Sequence, residues 1–218
     1  MKVIITGTTG MVGEGVLHTC LNSPLIESAL SVSRKPAGFE NPKLKELIID
    51  DFFKLSGYEE ILCGYDACFF CLGISSVGVN KAVYYKTTYE LTMNFGRLLS
   101  GLNKEMVFIY VSGAGTDSTE NGRLEWAREK GKTENDLMKL PFKKVYAYRP
   151  GFIKPIDGLK KAHKFYEYIN WFYPAGKALF PENFNTLEEV GLSMINISKT
   201  NYDKKVITGK DITLLARY

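Results

Sequence analysis

Three glycines spaced three residues apart follow the first apolar run of the chain. Residues 3–6 are apolar, Gly7, Gly10 and Gly13 come next, and residues 11–21 repeat apolar side chains with a helical period. Where a strand turns into a helix, free backbone N–H groups and the positive end of the helix dipole attract phosphate. The first glycine permits the sharp turn, the second lets a pyrophosphate approach the backbone, and the third lets the helix pack on the strand.

This segment therefore predicts a pyrophosphate site, and the alternative is a purely structural turn. Its placement after a strand and before a helix is the context that such a glycine motif requires. The residues predicted to contact a bound dinucleotide here are Gly7, Thr8, Thr9, Gly10, Met11, Val12 and Gly13.

The end of the second apolar run bears on which dinucleotide binds. NAD-binding proteins place an acidic residue about 20 residues after the glycines, where it holds the ribose 2′-hydroxyl. This sequence has Ser31, Ser33, Arg34 and Lys35 instead. Two hydroxyls and two cations suit a 2′-phosphate, and the Arg34 guanidinium can contact it in a forked geometry. NADP(H) is therefore preferred and NAD(H) remains possible, the alternative being that both cations are solvated loop charges.

Two further strand ends supply candidate cofactor contacts. Asp51 and Phe52 follow the third predicted strand, where a carboxylate can reach an adenine amino group and Phe52 can supply backbone contacts. The alternative for this aspartate is a turn or a helix cap. Leu72 and Gly73 end the fourth strand, and a glycine there lets the ribose and phosphates lie close to the sheet.

These motifs need a scaffold that brings the ends of several strands together. Apolar runs at 3–6, 29–33, 46–50, 67–73, 106–112 and 144–150 predict strands, and helical patterns at 11–21, 57–63, 80–101 and 123–140 lie between them. The runs are almost continuously apolar, which is typical of strands covered on both faces. Alternating strands and helices predict a parallel sheet with helices on both sides. The fold class is therefore α/β, a Rossmann-like doubly wound parallel sheet.

A small C-terminal lobe is expected after this core. Prolines and glycines interrupt the sequence beyond residue 150, and helices at 159–173 and 186–199 and a strand at 204–208 are predicted. We expect a single domain over residues 1–218, with residues 1–155 as the dinucleotide-binding core and residues 156–218 as the lobe.

Composition narrows the classes of function. The chain has 218 residues, 45% of them hydrophobic, and its formal net charge of +4 is spread out rather than clustered. No apolar run reaches the ~18 residues of a membrane span, and Met1 and Lys2 lead directly into a strand rather than a secretory signal. We therefore expect a cytoplasmic monomer or homodimer that binds neither membrane nor nucleic acid. Cys68 and Cys71 lie inside an apolar run, which favours structural thiols and no metal site.

Seven motifs in order along the chain resemble the atypical short-chain dehydrogenases. They are TGTTGMVG at 6–13, SRKP at 33–36, DDF at 50–52, CLG at 71–73, VSGAG at 111–115, KGKTEN at 130–135 and RPG at 149–151. They are similar to the NAD(P)-binding NmrA-like and NAD-epimerase-like group, and within it to the HIV Tat-interacting-protein-like oxidoreductases. The resemblance covers residues 1–155 well and the rest loosely. It implies about seven parallel strands and bound NADP(H), with Pro150 and Gly151 among the cofactor contacts.

The resemblance also implies a Ser–Tyr–Lys group, in which the tyrosine exchanges a proton with the substrate and the lysine holds the nicotinamide ribose. Lys130 matches the lysine and Ser112 the serine, although Gly113 stands where active relatives often have a second serine. Trp126 occupies the position of the tyrosine. An indole N–H donates a hydrogen bond but does not exchange a proton near neutral pH.

Other groups that could complete such a site have structural explanations as well. Tyr84, Tyr85 and Tyr89 lie on the long predicted helix, where core packing or a helix surface is the simpler explanation. The pair Tyr173 and Lys177 is interrupted by a proline and a glycine. A position on the surface is the simpler explanation for His163. Ordinary packing on the sheet is the simpler explanation for the aromatic stretch 165–174.

Three functions are compatible with these residues. The first is an NADP(H)-dependent oxidoreductase acting on a small carbonyl or hydroxyl compound, with a degenerate Ser–Tyr–Lys site. The second is a non-catalytic regulatory protein that binds the dinucleotide and controls a protein partner. The third, a sugar-nucleotide epimerase or dehydratase, is least favoured because it needs the tyrosine and a larger C-terminal lobe than residues 151–218 supply.

Overall fold

Nine strands and eight helical segments make up the described part of this computed structural model, which comprises residues 1–154, residue 176 and residues 183–218. The strands are β1 (Lys2–Thr6), β2 (Ser28–Ser33), β3 (Leu44–Ile48), β4 (Ala67–Phe70), β5 (Val107–Val111), β6 (Lys144–Arg149), β7 (Phe152–Lys154), β8 (Phe184–Thr186) and β9 (Val206–Thr208). The helices are α1 (Met11–Asn22), α2 (Glu59–Leu62), α3 (Lys81–Tyr85), a π-helical turn (Lys86–Glu90), α4 (Leu91–Leu102), α5 (Glu125–Leu137), α6 (Leu187–Lys199) and α7 (Gly209–Leu215).

The main sheet of the described residues is parallel and has seven strands in the order β3-β2-β1-β4-β5-β6-β9. The order reverses between β1 and β4, so their carboxyl ends flank the point at which open α/β sheets bind ligands. A separate parallel pair joins β7 to β8. The predicted Rossmann-like doubly wound fold is confirmed.

Two apolar clusters cover the two faces of the sheet. One contains side chains of α1, α6 and α7, including Leu17, Met194 and Ile212. The other contains side chains of α2, α4 and α5, including Phe95 and Leu137. Because both faces are covered, the central strands are almost entirely buried and read as continuous apolar runs.

The described C-terminal elements are continuous with this core. Strand β9 pairs with β6 at the end of the sheet, and α6 packs against α1. Two glycines allow this close packing: an added Cβ would lie 2.7 Å from the Leu187 side chain at Gly15, and 2.6 Å from Thr19 Cβ at Gly191. The domain boundary at residue 155 stays a prediction.

Several predicted elements differ in extent from those observed. The helix predicted at 80–101 comprises α3, the π-helical turn and α4, and the strand predicted at 67–73 ends at Phe70. Strands β7 and β8 and helix α7 were not predicted, because each is too short for a clear periodicity. The helix predicted at 159–173, with His163, the aromatic stretch 165–174, Tyr173 and Lys177, lies outside the described residues.

Candidate functional site

A cleft of about 510 Å³ opens where the carboxyl ends of β1 to β4 meet α3 and α4. Its position beside the reversal of strand order is the one expected for a ligand site in this class of sheet. The predicted cofactor residues that line it are Gly7, Thr9, Gly10, Ser33, Arg34, Asp51, Phe52, Leu72 and Gly73. Thr8, Met11, Val12, Gly13, Lys35, Lys130, Pro150 and Gly151 are not among its lining residues.

The backbone of the glycine loop is tightly packed at two of its three glycines. Gly7 has a φ of +69°, and a Cβ there would lie 2.8 Å from the carbonyl of Cys71. A Cβ at Gly13 would lie 2.2 Å from the Gly7 oxygen. Larger residues at either position would therefore push the first turn of α1 away from β1 and β4.

Gly10 differs because the protein leaves space beside it. An added Cβ would have only the Gly7 oxygen nearby, at 3.4 Å, and Gly10 lines the cleft. Gly10 is also the N-cap of α1, and no side chain of the described residues caps this helix end. A hydrogen bond from Glu14 N to Gly10 O, 2.8 Å long, starts the helix, so the N–H groups of residues 11–13 have no intrahelical acceptor. Space and unsatisfied donors together fit a phosphate group.

The hydroxyls near the end of β2 are engaged within the protein. Ser33 Oγ donates to the Lys35 carbonyl at 2.6 Å, and Ser31 Oγ shares a 2.7 Å hydrogen bond with the buried Thr8 hydroxyl. Lys35 is exposed and does not line the cleft. Both serine hydroxyls are therefore hydrogen-bonded within the protein, although Ser33 lines the cleft, and the contact of two hydroxyls and two cations with a 2′-phosphate stays a prediction.

Arg34 is the cation that lines the cleft at this strand end. It is exposed and forms no hydrogen bond or ion pair with any other described residue. Asp50 and Asp51 line the same cleft. Arg34 is thus available to an anionic ligand in a cleft that otherwise carries acidic groups.

The loop after β3 forms one wall of the cleft. Asp51 Oδ1 accepts a 2.9 Å hydrogen bond from Phe53 N, and the buried Phe52 ring packs against Phe95 at a centroid distance of 5.9 Å. Asn94 Nδ2 on α4 donates to the Phe52 carbonyl at 2.9 Å. Sequence reasoning missed Asn94. The one feature that could have indicated its role is a polar amide side chain between two apolar residues, Met93 and Phe95, which are buried in the structure.

The opposite wall comes from α3, the π-helical turn and α4. Val83, Thr87 and Leu91 line the cleft. They recur every four residues, so one face of this helical stretch points towards the cleft. Sequence reasoning missed this wall, although the spacing is visible in the sequence.

A second group of predicted site residues lies at the carboxyl ends of β5 and β6. Lys130 on α5 donates from Nζ to the Ser112 carbonyl. Burial lowers the pKa of Lys130, and the nearby Glu134 carboxylate opposes that shift. Pro150 accepts a 2.9 Å hydrogen bond from Ala114 N, and an added Cβ at Gly151 would lie 2.4 Å from the Asn183 oxygen. Lys130 and Pro150 therefore both contact the loop after β5, at Ser112 and Ala114 respectively.

The Ser112 hydroxyl forms a hydrogen bond within the protein. Ser112 is buried, and both its N–H and its Oγ donate to the Tyr148 carbonyl, at 2.9 and 3.1 Å. Thr116 Oγ1 likewise donates to the Gly113 carbonyl at 2.8 Å. These bonds hold the end of β5 against β6, and the assignment of Ser112 as catalytic stays a prediction.

Trp126 packs against the same loop. An added Cβ at Gly115, where φ is +84°, would lie 3.1 Å from Trp126 Cη2. Trp126 is half-buried and lies one helical turn before Lys130 on α5. Its indole ring thus lies against this loop at Gly115.

The tyrosines considered as alternative proton donors are engaged in helix packing. Tyr84 is 4% exposed, and burial raises its pKa. Tyr85 and Tyr89 stack at 5.1 Å, and the Tyr89 hydroxyl donates to Asp136 Oδ2 at 2.7 Å. These contacts support the structural explanation for all three.

Cys20, Cys68 and Cys71 have the character of structural thiols, whereas Cys63 is exposed. Cys20 and Cys68 are fully buried, burial raises the pKa of both, and burial raises the pKa of Cys71 to about 12. All four cysteines are free. Within the described residues, no cluster of histidine, cysteine or acidic side chains is arranged to hold a metal ion, and no helix combines the length and apolar character needed to cross a membrane.

Curated relatives match most of the chain at low identity. Protein fmp52, mitochondrial, of Aspergillus clavatus is 29% identical over 162 residues, which cover 70% of this chain and 66% of the relative. Protein FMP52, mitochondrial, of Candida albicans is 28% identical over 159 residues, covering 69% and 66%. The match thus spans slightly less than two thirds of the length of these relatives. No family model matches the chain.

Solved structures share its fold. A short-chain dehydrogenase family protein of Francisella tularensis superposes with a TM-score of 0.62 at 14% identity, covering 92% of this chain and 91% of that one. The ADP-L-glycero-D-manno-heptose-6-epimerase of Helicobacter pylori gives 0.68 at 16%, covering 100% and 81%. The Bordetella bronchiseptica enzyme WbmF, in complex with NAD+, gives 0.67 at 15%, covering 99% and 76%. The chain therefore has the fold of short-chain dehydrogenases and epimerases.

The cytoplasmic location predicted from the sequence is wrong on this comparison, because the curated relatives are named as mitochondrial proteins. The prediction was based on finding neither a secretory signal nor a membrane span in the sequence. A protein imported into mitochondria needs neither feature.

Proposed function

We propose that this protein binds NADP(H) and acts as an oxidoreductase on a small carbonyl or hydroxyl compound. The observation that carries the proposal is the space beside Gly10 at the uncapped N-terminus of α1. Such a helix end binds phosphate through its free N–H groups and its dipole. Among structures with this fold, WbmF was solved with NAD+, which supports a nicotinamide dinucleotide as the ligand. We place the chain with the atypical short-chain dehydrogenases, near the HIV Tat-interacting-protein-like group.

The chain's own residues have distinct roles in this proposal. The glycine loop binds the pyrophosphate, Arg34 binds the 2′-phosphate, and the loop at Asp51 binds the adenine. Lys130, fixed by its hydrogen bond to the Ser112 carbonyl, orients the nicotinamide ribose. The bound nicotinamide supplies or accepts a hydride.

Titration with NADPH tests the binding proposal directly. We expect saturable quenching of tryptophan fluorescence, for which Trp126 and Trp171 are the reporters. NADH should also saturate the signal, at higher concentration. Failure of both nucleotides to bind would overturn the proposed function.

Arg34→Glu should weaken NADPH binding by about 10- to 150-fold and NADH binding by less than about 3-fold. The reason is that a charge-assisted hydrogen bond to phosphate contributes about 1.5–3 kcal/mol, and NADH lacks the 2′-phosphate. Dissociation constants for both nucleotides measure the effect. Lys35→Glu is the matched control, since it makes the same charge change one residue further on, outside the cleft lining. An unchanged ratio of NADPH to NADH affinity in Arg34→Glu would remove the 2′-phosphate assignment.

A second candidate function is regulatory binding of the dinucleotide without turnover. Two observations favour it: Trp126 stands one helical turn before Lys130, and the Ser112 hydroxyl is engaged by Tyr148. Neither side chain supplies a titratable proton to a substrate in this arrangement. The epimerase or dehydratase alternative meets the same obstacle, because it needs the same tyrosine.

Trp126→Tyr distinguishes a weak enzyme from a regulatory protein. We expect NADPH oxidation with a panel of small aldehydes and ketones to rise by about tenfold over the wild type, less than the 10²–10⁴-fold typical of a general acid, because Ser112 remains engaged. Trp126→Phe is the control, since it keeps an aromatic ring without a hydroxyl. Equal rates in the two variants would show that a missing proton donor is not what limits turnover.

A further inference from the structure

The loop after β3 presents two hydrogen-bonding groups that the described part of the protein leaves unused. Asp51 Oδ1 is occupied by Phe53 N, whereas Asp51 Oδ2 accepts no hydrogen bond from a described residue. The backbone N–H of the next residue, Phe52, also has no acceptor among the described residues. Asp51 and Phe52 both line the cleft. They offer a ligand one carboxylate acceptor and one adjacent N–H donor.

This pair of groups distinguishes between purine bases. Adenine presents a ring nitrogen acceptor at N1 and an amino donor at N6, which complement an N–H donor and a carboxylate acceptor. Hypoxanthine presents the reverse order, an N–H donor at N1 and a carbonyl acceptor at O6. Hypoxanthine in this position would leave the N–H donor and the carboxylate without hydrogen-bond partners, and unpaired polar groups in a binding site weaken binding.

The geometry of this pair depends on a contact from another element. Asn94, half-buried on α4, donates from Nδ2 to the Phe52 carbonyl at 2.9 Å. Asn94 lies three residues after Leu91, which lines the cleft, so both are on the same side of α4. The Asn94 bond therefore fixes the peptide group between Phe52 and Phe53, whose N–H in turn donates to Asp51 Oδ1.

We propose that Asn94 is a positioning residue for adenine recognition: through the Phe52 carbonyl it holds the Phe52 N–H and the Asp51 carboxylate in the register that adenine requires. This inference rests on the proposed function. It adds a residue that touches no ligand, and it predicts an effect on base selectivity rather than on overall affinity alone.

Asn94→Leu tests this role by removing the donor while keeping a good helix former of similar size. Binding of NADPH is compared with binding of reduced nicotinamide hypoxanthine dinucleotide phosphate, which differs only in the base. The wild type should prefer NADPH by about 10- to 100-fold. In Asn94→Leu, NADPH affinity should fall by about 3- to 10-fold and hypoxanthine analogue affinity should stay unchanged, so the preference narrows by the same factor.

Asn103→Leu is the matched control at the other end of α4. Asn103, the residue directly after α4, also donates from Nδ2 to a backbone carbonyl, that of Tyr65, at 3.0 Å, and Tyr65 does not line the cleft. Loss of this bond should leave the base preference unchanged. Asn94→Asp, which keeps the size but replaces the donor by a carboxylate facing the Phe52 carbonyl, is the second variant and should narrow the preference further.

The outcomes separate this inference from the proposed function. If the wild type binds neither nucleotide, the proposed function fails and the inference fails with it. If the wild type binds both equally, or if folded Asn94→Leu and Asn94→Asp keep the wild-type preference, only the inference is overturned. Equal narrowing in Asn103→Leu would also overturn it, because the effect would then be a general property of α4.

Discussion

Gly10→Asp is expected to abolish NADPH binding, with a loss of at least about 100-fold, while leaving the protein as stable as the wild type or slightly more so. The new Cβ meets only the Gly7 oxygen, at 3.4 Å, so the substitution fits the fold. Aspartate is a favourable N-cap residue, and its charge complements the helix dipole. The carboxylate would, however, occupy the position of the pyrophosphate and repel it.

Opposite effects on stability and binding make this a sharp test. The melting temperature and the fluorescence titration with NADPH would be measured on the same preparation. Gly101→Asp is the control: Gly101 is exposed near the end of α4 and has no neighbouring atom within 4 Å of an added Cβ. Wild-type NADPH affinity in Gly10→Asp would show that the phosphate is not bound at this loop.

The fold and the position of the glycine loop could be predicted because both depend on residues that are close together in the sequence. Strands covered on both faces are continuously apolar, so β1, β4 and β5 stand out in the sequence. Gly7 and Gly13 both lack room for a side chain, and both lie in the single turn between β1 and α1. Parallel strands then place their carboxyl ends along one edge, which brings the loops after β2 and β3 to the same cleft.

The direction of polar side chains could not be predicted, because it depends on partners distant in sequence. Ser31 is turned towards Thr8 and Ser112 towards the Tyr148 carbonyl, contacts that span 23 and 36 residues. Asn94 reaches Phe52 across 42 residues. A single sequence supplies the residue types for such contacts but not the pairing.

Glu134→Leu is expected to lower the free energy of unfolding by about 3–5 kcal/mol, because it leaves a mostly buried guanidinium without its counter-ion. Glu134 is 1% exposed and receives two hydrogen bonds from Arg149, from Nε at 3.0 Å and from Nη2. The Arg149 side chain is 17% exposed and also donates to the Ser118 hydroxyl. In a chain of this size the loss corresponds to a fall in melting temperature of roughly 6–20 °C.

The double variant Glu134→Leu with Arg149→Met separates the cost of an unpaired charge from the loss of an important fold contact. A buried pair replaced by apolar side chains of similar volume is often close to neutral, so the double variant should recover most of the stability lost in Glu134→Leu. Glu105→Gln is the surface control, since Glu105 pairs with Lys143 at 3.5 Å in solvent and its loss should leave the melting temperature unchanged. A double variant no more stable than Glu134→Leu would mean that the pair is itself required for packing.

The ion pair also links stability to the site. Glu134 lies one helical turn after Lys130 on α5, Arg149 ends β6 directly before Pro150, and Ser118 lies in the segment between β5 and α5. The pair therefore joins the three segments that carry the predicted nicotinamide contacts. We expect Glu134→Leu, measured well below its melting temperature, to weaken NADPH more than adenosine 2′,5′-bisphosphate. That nucleotide lacks the nicotinamide ribose and depends only on the cleft at β1 to β4. Equal weakening of both ligands would show that the ion pair does not organise the half of the site around Lys130.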